Sequence, residues 1–90
     1  MKKVYSVYDK KAMFFGSPII VDFPVQAERA LMQEVSNPNS QLHQYADDFA
    51  MYQIGEYDET KGTLIPLDVP LHFHEVSEYL NAINAEAGVQ

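Results

Sequence analysis

The nine residues from Phe49 to Tyr57 constrain the fold more than any other part of this 90-residue chain. Side chains alternate across a strand, so Phe49, Met51 and Gln53 would point one way and Ala50, Tyr52 and Ile54 the other. Both sets are largely apolar, which suits a strand covered on both faces and therefore central in its sheet. Gly55 within the run predicts a bulge or a close approach of another backbone. Asp58-Glu59-Thr60-Lys61-Gly62 then reads as an acidic hairpin loop, with glycine available for positive φ. Thr63-Leu64-Ile65 returns as a second strand, and Pro66, which lacks an N–H, marks it as an edge.

The remaining elements follow from local pattern. Val4-Tyr5-Ser6-Val7-Tyr8 is rich in β-branched and aromatic residues and predicts a strand ended by Asp9-Lys10-Lys11. Ala12-Met13-Phe14-Phe15 is a short apolar run closed by Gly16-Ser17-Pro18, Ile19-Ile20-Val21 is another, and one of the two is expected to pair with that first strand. Asp22 is the expected N-cap of a helix with Pro24 in its first turn. Ala27, Leu31 and Val35 stack on one face of that helix, with Val25 and Met32 beside them. Asn37-Pro38 ends it, because a residue before proline avoids α geometry. Asn37 or Asn39 is expected to cap a short turn over Gln41 to Tyr45. Val76, Tyr79, Leu80 and Ile83 recur at i, i+3, i+4 and i+7 and predict a last helix that frays at Gly88.

The expected fold is a single α+β domain over residues 1–90, in β-β-α-β-β-α order. It has a small antiparallel sheet of three to four strands with two helices packed on one face. A second face would then need a cover. Tyr8, Met51 and Phe14 are the candidates for exposure there, and a homodimer is the simplest cover.

Charge narrows the function classes. The net charge is −7, with six Lys and Arg in all, yet Lys2, Lys3, Lys10 and Lys11 fall within the first eleven residues. With Asp9 that stretch carries +3 and the remainder −10. Phosphate binding rests on cations displacing counterions, so an extensive nucleic-acid coat is excluded and only this one end is suited to a polyanion. Lysines flanking Tyr5 and Tyr8 suggest how single-stranded DNA is held, cations on the backbone and aromatic rings on bases. Lys2, Lys3, Tyr5, Tyr8, Lys10 and Lys11 are therefore the candidate DNA-binding residues. The odd spacing of Tyr5 and Tyr8 sends one of them to the core. A solubilising basic end on an edge strand is the competing reading.

Other chemistry finds less support. His72 and His74 would share a face if they lay on a regular strand, and with Glu75 or the more distant His43 could begin a metal site. Two ligands from one segment leave such a site incomplete, so no metal or other cofactor is expected. Asp47, Asp48, Glu56, Asp58 and Glu59 could bind magnesium, but charge runs are usually solvated faces. No phosphate loop, nucleophile elbow or cysteine is present, and enzyme activity is not expected. Nothing approaches a membrane span, and Lys2-Lys3 is followed by polar residues rather than an apolar leader core. The absence of cysteine fits a reducing cytoplasm.

Several blocks resemble the small nonstructural protein of gokushovirus-type microviruses, which are single-stranded DNA phages. They are Val4-Tyr5-Ser6-Val7-Tyr8-Asp9-Lys10-Lys11-Ala12, Ser36-Asn37-Pro38-Asn39-Ser40 and Tyr45-Ala46-Asp47-Asp48-Phe49. The most specific is Ile54-Gly55-Glu56-Tyr57-Asp58-Glu59-Thr60-Lys61-Gly62. The resemblance runs in order over residues 4–64, with Asp47 where those proteins often have glutamate. It implies a non-enzymatic protein made in the cytoplasm of the bacterial host, acting in synthesis or packaging of the single-stranded genome. Two modes remain open. One is weak single-stranded DNA contact through the basic first strand. The other is an adaptor that recruits the phage replication initiator or capsid proteins without touching DNA.

Overall fold

The computed structural model describes residues 1–86, so the expectation about Gly88 lies outside the described residues. The elements are β1 (Lys2–Asp9), β2 (Phe14–Phe15), β3 (Ile19–Val21), α1 (Pro24–Ser36), α2 (Gln41–Gln44), a 3-10 turn (Ala46–Asp48), β4 (Phe49–Asp58), β5 (Thr63–Glu75) and α3 (Val76–Glu86). Among the described residues the fold is α+β, with three helices and an antiparallel sheet ordered β2-β1-β4-β5, and β3 also pairs with β1. Both short runs, rather than one of them, pair with the first strand, the earlier through Phe14 and Phe15 only. Phe15 lies opposite Tyr8, and Val21, Ile20 and Ile19 lie opposite Lys3, Val4 and Tyr5. They form one edge, broken at Gly16-Ser17-Pro18, where Gly16 N–H donates to the Val7 carbonyl and Ser6 Oγ donates to the Gly16 carbonyl.

β4 is central, between β1 and β5. The register against β1 slips between Val4 and Tyr5, leaving Ile54 as an extra residue, and β5 approaches on the other side. Gly55 is required there. A Cβ on it would lie 2.7 Å from the carbonyl oxygen of Ile65, closer than a Cβ atom comes to a non-bonded backbone oxygen. Along β5, residues 67–70 make an excursion between the pairs Gly55–Pro66 and Gln53–Leu71, and Phe73 is a further extra residue opposite Met51–Tyr52.

Two hairpin-type turns share one construction. Asp58 accepts from the amides of Thr60 and Lys61 and closes onto Gly62 at φ 68°. Asp9 likewise accepts from Lys11 and Ala12 and closes onto Met13 at φ 64°. The second places a side chain in the left-handed region, a cost of about 1 kcal/mol that glycine avoids.

The core lies on the helix-covered side of the sheet. Ala27, Leu31 and Val35 of α1 meet Val76 of α3 and Tyr5, Phe49 and Met51 of the sheet, with Val7, Phe73, Tyr79, Leu80 and Ile83 packed around them. Each large apolar side chain buried there contributes about 1.5–3 kcal/mol. Met51 is 3% exposed, which corrects its expected place on the open face. Its alternation with Ala50 and Tyr52 is as the sequence implied, but the helices cover its side. Phe14 is exposed, yet pairs with Asp9 and so shares the opposite face from Tyr8.

Local caps also differ from expectation. Asp22 does not cap α1. The N-cap is Phe23, and Gln26 Oε1 accepts from the amides of both Asp22 and Phe23 while the Asp22 carboxylate pairs with Lys2. The side-chain amide of the first turn thus reaches back to the amide of the N-cap, as the second half of a capping box does. Ser40, rather than Asn37 or Asn39, caps α2 by accepting from Leu42 N–H. Asn37 instead forms the C-cap of α1, and its side chain accepts from Asn39 N–H.

Candidate functional site

The six candidate residues do not form one surface. Tyr5 is 2% exposed, 4.8 Å from the ring of Phe73 in the core. It cannot stack on a base, and burial beside Glu28 raises its phenol pKa. Tyr8 has the opposite parity and lies on the open face, where its ring is 4.7 Å from Phe15 and 6.1 Å from Tyr52. Tyr52 in turn meets His72 edge-on at 5.3 Å. These side chains make a ridge across β2, β1, β4 and β5, with the rings tilted or perpendicular to one another.

The four lysines separate into two pairs at opposite ends of β1, about 26 Å apart at about 3.3 Å per residue. Lys2 Nζ is 2.7 Å from Asp22 and 3.9 Å from Glu59. Its pKa is raised, chiefly by the hydrogen bond to Asp22. Lys10 Nζ binds Glu75 Oε1 and also donates to the Asp47 carbonyl at 3.3 Å. That contact raises the lysine pKa and holds the Glu75 carboxyl below the usual carboxylate range, with His72 adding to the effect. Lys3 lies opposite Glu56 in the register, and Lys11 is exposed beside the Asp9 turn. The expected basic patch is therefore two corners, each beside carboxylates from sequence-distant elements.

His72 and His74 do not share a face. The extra residue Phe73 restarts the alternation, so His72 pairs with Tyr52 on the open side and His74 with Met51 on the helix side. His72 Nε2 is 2.7 Å from Glu75, and His74 lies 3.5 Å from Glu28 and 3.6 Å from Glu78. Tyr79 donates to Glu28 at 3.2 Å, and burial together with Glu28 pushes its pKa far up. Among the described residues no three His, Cys, Asp or Glu side chains converge as a metal site. Asp58 is occupied as the acceptor of its own turn, and Asp48 supplies the carbonyl that accepts from Lys10 N–H.

Sequence reasoning missed a groove of about 370 Å³ at the other end of the open face. Val4, Ile20, Ile54, Leu64 and Pro66 line it, with Gly55 at its floor. Its signal was present only as separate apolar residues on four strands, which register alone brings together. No helix among the described residues is long and apolar enough to cross a membrane.

Comparison with known proteins accords with the resemblance to gokushovirus-type microviruses and lengthens it. The model of the family described as Phage ORF5 protein matches residues 2–79, reaching beyond residues 4–64 into α3. Protein ORF5 of Chlamydia phage 1 is 33% identical over 70 residues, covering 71% of each chain. No solved structure matches.

Proposed function

This chain belongs to the Phage ORF5 protein family, and on that premise we propose that it is a non-enzymatic phage protein that serves genome synthesis or packaging as a protein–protein adaptor. Its partners are the replication initiator or the capsid proteins, and it works in the cytoplasm of the host bacterium. The observation that carries this reading is the division of the basic end. Lys2 and Lys10 are held by Asp22 and Glu75 at opposite ends of β1, so no continuous cationic track follows the strand. A polyanion engaging it would have to displace those carboxylates and approach a body of strongly negative charge.

The non-enzymatic part is supported by how the titratable groups are employed. His72 and Glu75 close onto Lys10, while His74 and Glu28 hold α1 and α3 to the end of β5. The acidic surface suits a partner with a basic docking segment, because complementary charge raises the encounter rate and fixes register.

The test is a pair of titrations. Fluorescent single-stranded oligonucleotide is titrated with the protein between low and physiological salt, and purified replication initiator and capsid proteins are titrated in parallel. Micromolar, salt-sensitive binding to a phage protein without oligonucleotide binding supports the adaptor. An oligonucleotide affinity whose salt slope corresponds to about two to four phosphates, abolished by Lys→Ala at positions 2, 3, 10 and 11, would overturn it in favour of direct DNA contact.

A further inference from the structure

The open sheet face carries a ridge and a groove at its two ends, and both are apolar. The ridge is Tyr8, Phe15 and Tyr52, with Phe15 38% exposed despite its contacts at 4.7 and 5.7 Å to the two tyrosines. The groove leaves Ile20 46% and Leu64 65% exposed. Along β1 the two features are centred on Tyr8 and Val4, four residues or about 13 Å apart. Ser6 lies midway and is buried, its hydroxyl donated to the Gly16 carbonyl rather than offered to solvent.

We infer that this face is covered by a second copy of the chain, related by a two-fold axis passing near Ser6. Such an axis exchanges the two ends of β1, so the aromatic ridge of each copy enters the groove of the other. The contact is isologous and closes at two copies, as two-fold interfaces do. A phenylalanine ring with its flanking tyrosine edges matches a groove of this volume. Charge agrees with the same operation. It carries Lys11, exposed beyond the ridge, toward the corner where Asp22 and Glu59 share the single ammonium of Lys2. The polar Ser6 at the axis is satisfied internally, so closing the interface strands no donor there.

The alternative of strand addition at the free edge of β5 is disfavoured by that edge itself. Pro66 and Pro70 lack N–H donors, and the 67–70 excursion interrupts the ladder, both devices that block edge pairing. The face contact has a modest footprint. Four strands about 4.8 Å apart and about 26 Å long give about 500 Å² per copy, at the low end for a specific interface, so a micromolar, reversible dimer is expected. This inference is independent of the adaptor reading, since it concerns the protein alone and needs no partner.

Sedimentation equilibrium of the full chain from about 1 to 200 μM is expected to show a monomer giving way to a dimer. A monomer mass throughout overturns the inference. Phe15 lies opposite Tyr8 and Ile20 opposite Val4, so the axis at Ser6 sets Phe15 of one copy over Ile20 of the other, and Phe15→Lys and Ile20→Glu, each alone, are expected to remove the dimer. Mixed in equal amounts they are expected to restore it as a heterodimer, because the introduced lysine of one meets the introduced glutamate of the other. If each variant alone is as dimeric as the parent, or if the mixture of two folded variants stays monomeric, the ridge-in-groove contact is wrong. Should either variant fail to fold by circular dichroism, the double variant Phe15→Cys/Ile20→Cys decides. The chain has no cysteine of its own, and the two positions lie opposite Tyr8 and Val4, about 13 Å apart and too far to join within one copy. A covalent dimer on mild oxidation supports the interface, and its absence refutes it.

Discussion

Replacing Gly55 by alanine isolates one backbone contact and predicts its worth. A glycine-to-alanine change at ordinary φ stabilises by about 0.4–1 kcal/mol, because the unfolded chain loses freedom. Gly55 is not among the positive-φ residues, so this gain applies to it. Against it stands a Cβ placed 2.7 Å from the Ile65 carbonyl oxygen and 3.4 Å from Pro66 Cα. Both neighbours are backbone, so relief requires β5 to move away from β4 at the bulge. Overpacking of this kind costs about 1–3 kcal/mol or more. The net expectation is a loss of about 1–2 kcal/mol, or roughly 5–15 °C in Tm for a domain of this size. Gly16→Ala is the matched control, since its Cβ would meet only the Val7 carbonyl at an ordinary 3.6 Å. That variant should equal or exceed the parent in stability. Thermal and urea unfolding followed by circular dichroism, at one fixed protein concentration, measures both. A Gly55→Ala protein as stable as the parent, or a Gly16→Ala protein equally damaged, would refute the argument from close approach.

Four further outcomes follow from the same geometry. Met13→Gly should raise stability by up to about 1 kcal/mol, because it relieves the left-handed backbone at φ 64° that Gly62 adopts freely in the equivalent turn; urea midpoints report it. Leu31→Ala, at a buried site between α1 and the sheet, should cost about 2–5 kcal/mol in the same assay. Tyr79→Phe removes the hydroxyl donated to Glu28 and should cost about 0.5–1.5 kcal/mol, read from the same transitions. The Lys10–Glu75 contact should be pH-dependent in a defined sense. The folded Glu75 pKa is lowered, so its contribution is complete above the ordinary carboxylate range and is lost as pH falls through the folded value. The folded Lys10 pKa is raised, so its contribution is complete below the ordinary lysine value and fades as pH rises through the folded one. Both groups are partly exposed, so Glu75→Gln should cost no more than about 1 kcal/mol at neutral pH, with the difference from the parent vanishing in acid.

Local pattern alone determined much of this protein. The period of two in Phe49 to Ile54 made a central strand. The four-residue spacing of Ala27, Leu31 and Val35 made the buried stripe of α1, and Asn37-Pro38 stopped that helix. Asp58 to Gly62 specified its turn, and Gly55 announced the close approach of β5. The left-handed position of Met13 was also legible in principle, because Asp9 opens the same five-residue turn as Asp58, but a methionine there does not declare it. The charge asymmetry was equally plain, yet its consequence was not, since the carboxylates that hold Lys2 and Lys10 lie 20 and 65 residues away. Tertiary structure decided which of Tyr5 and Tyr8 is core, because alternation fixes that they differ but not which side the helices cover. It placed Met51 inside for the same reason. It also parted His72 from His74, since one extra residue in β5 resets the period of two. Periodicity is a property of neighbours along the chain, whereas ridge, groove and ion pairs depend on the register between strands, which only the folded sheet supplies.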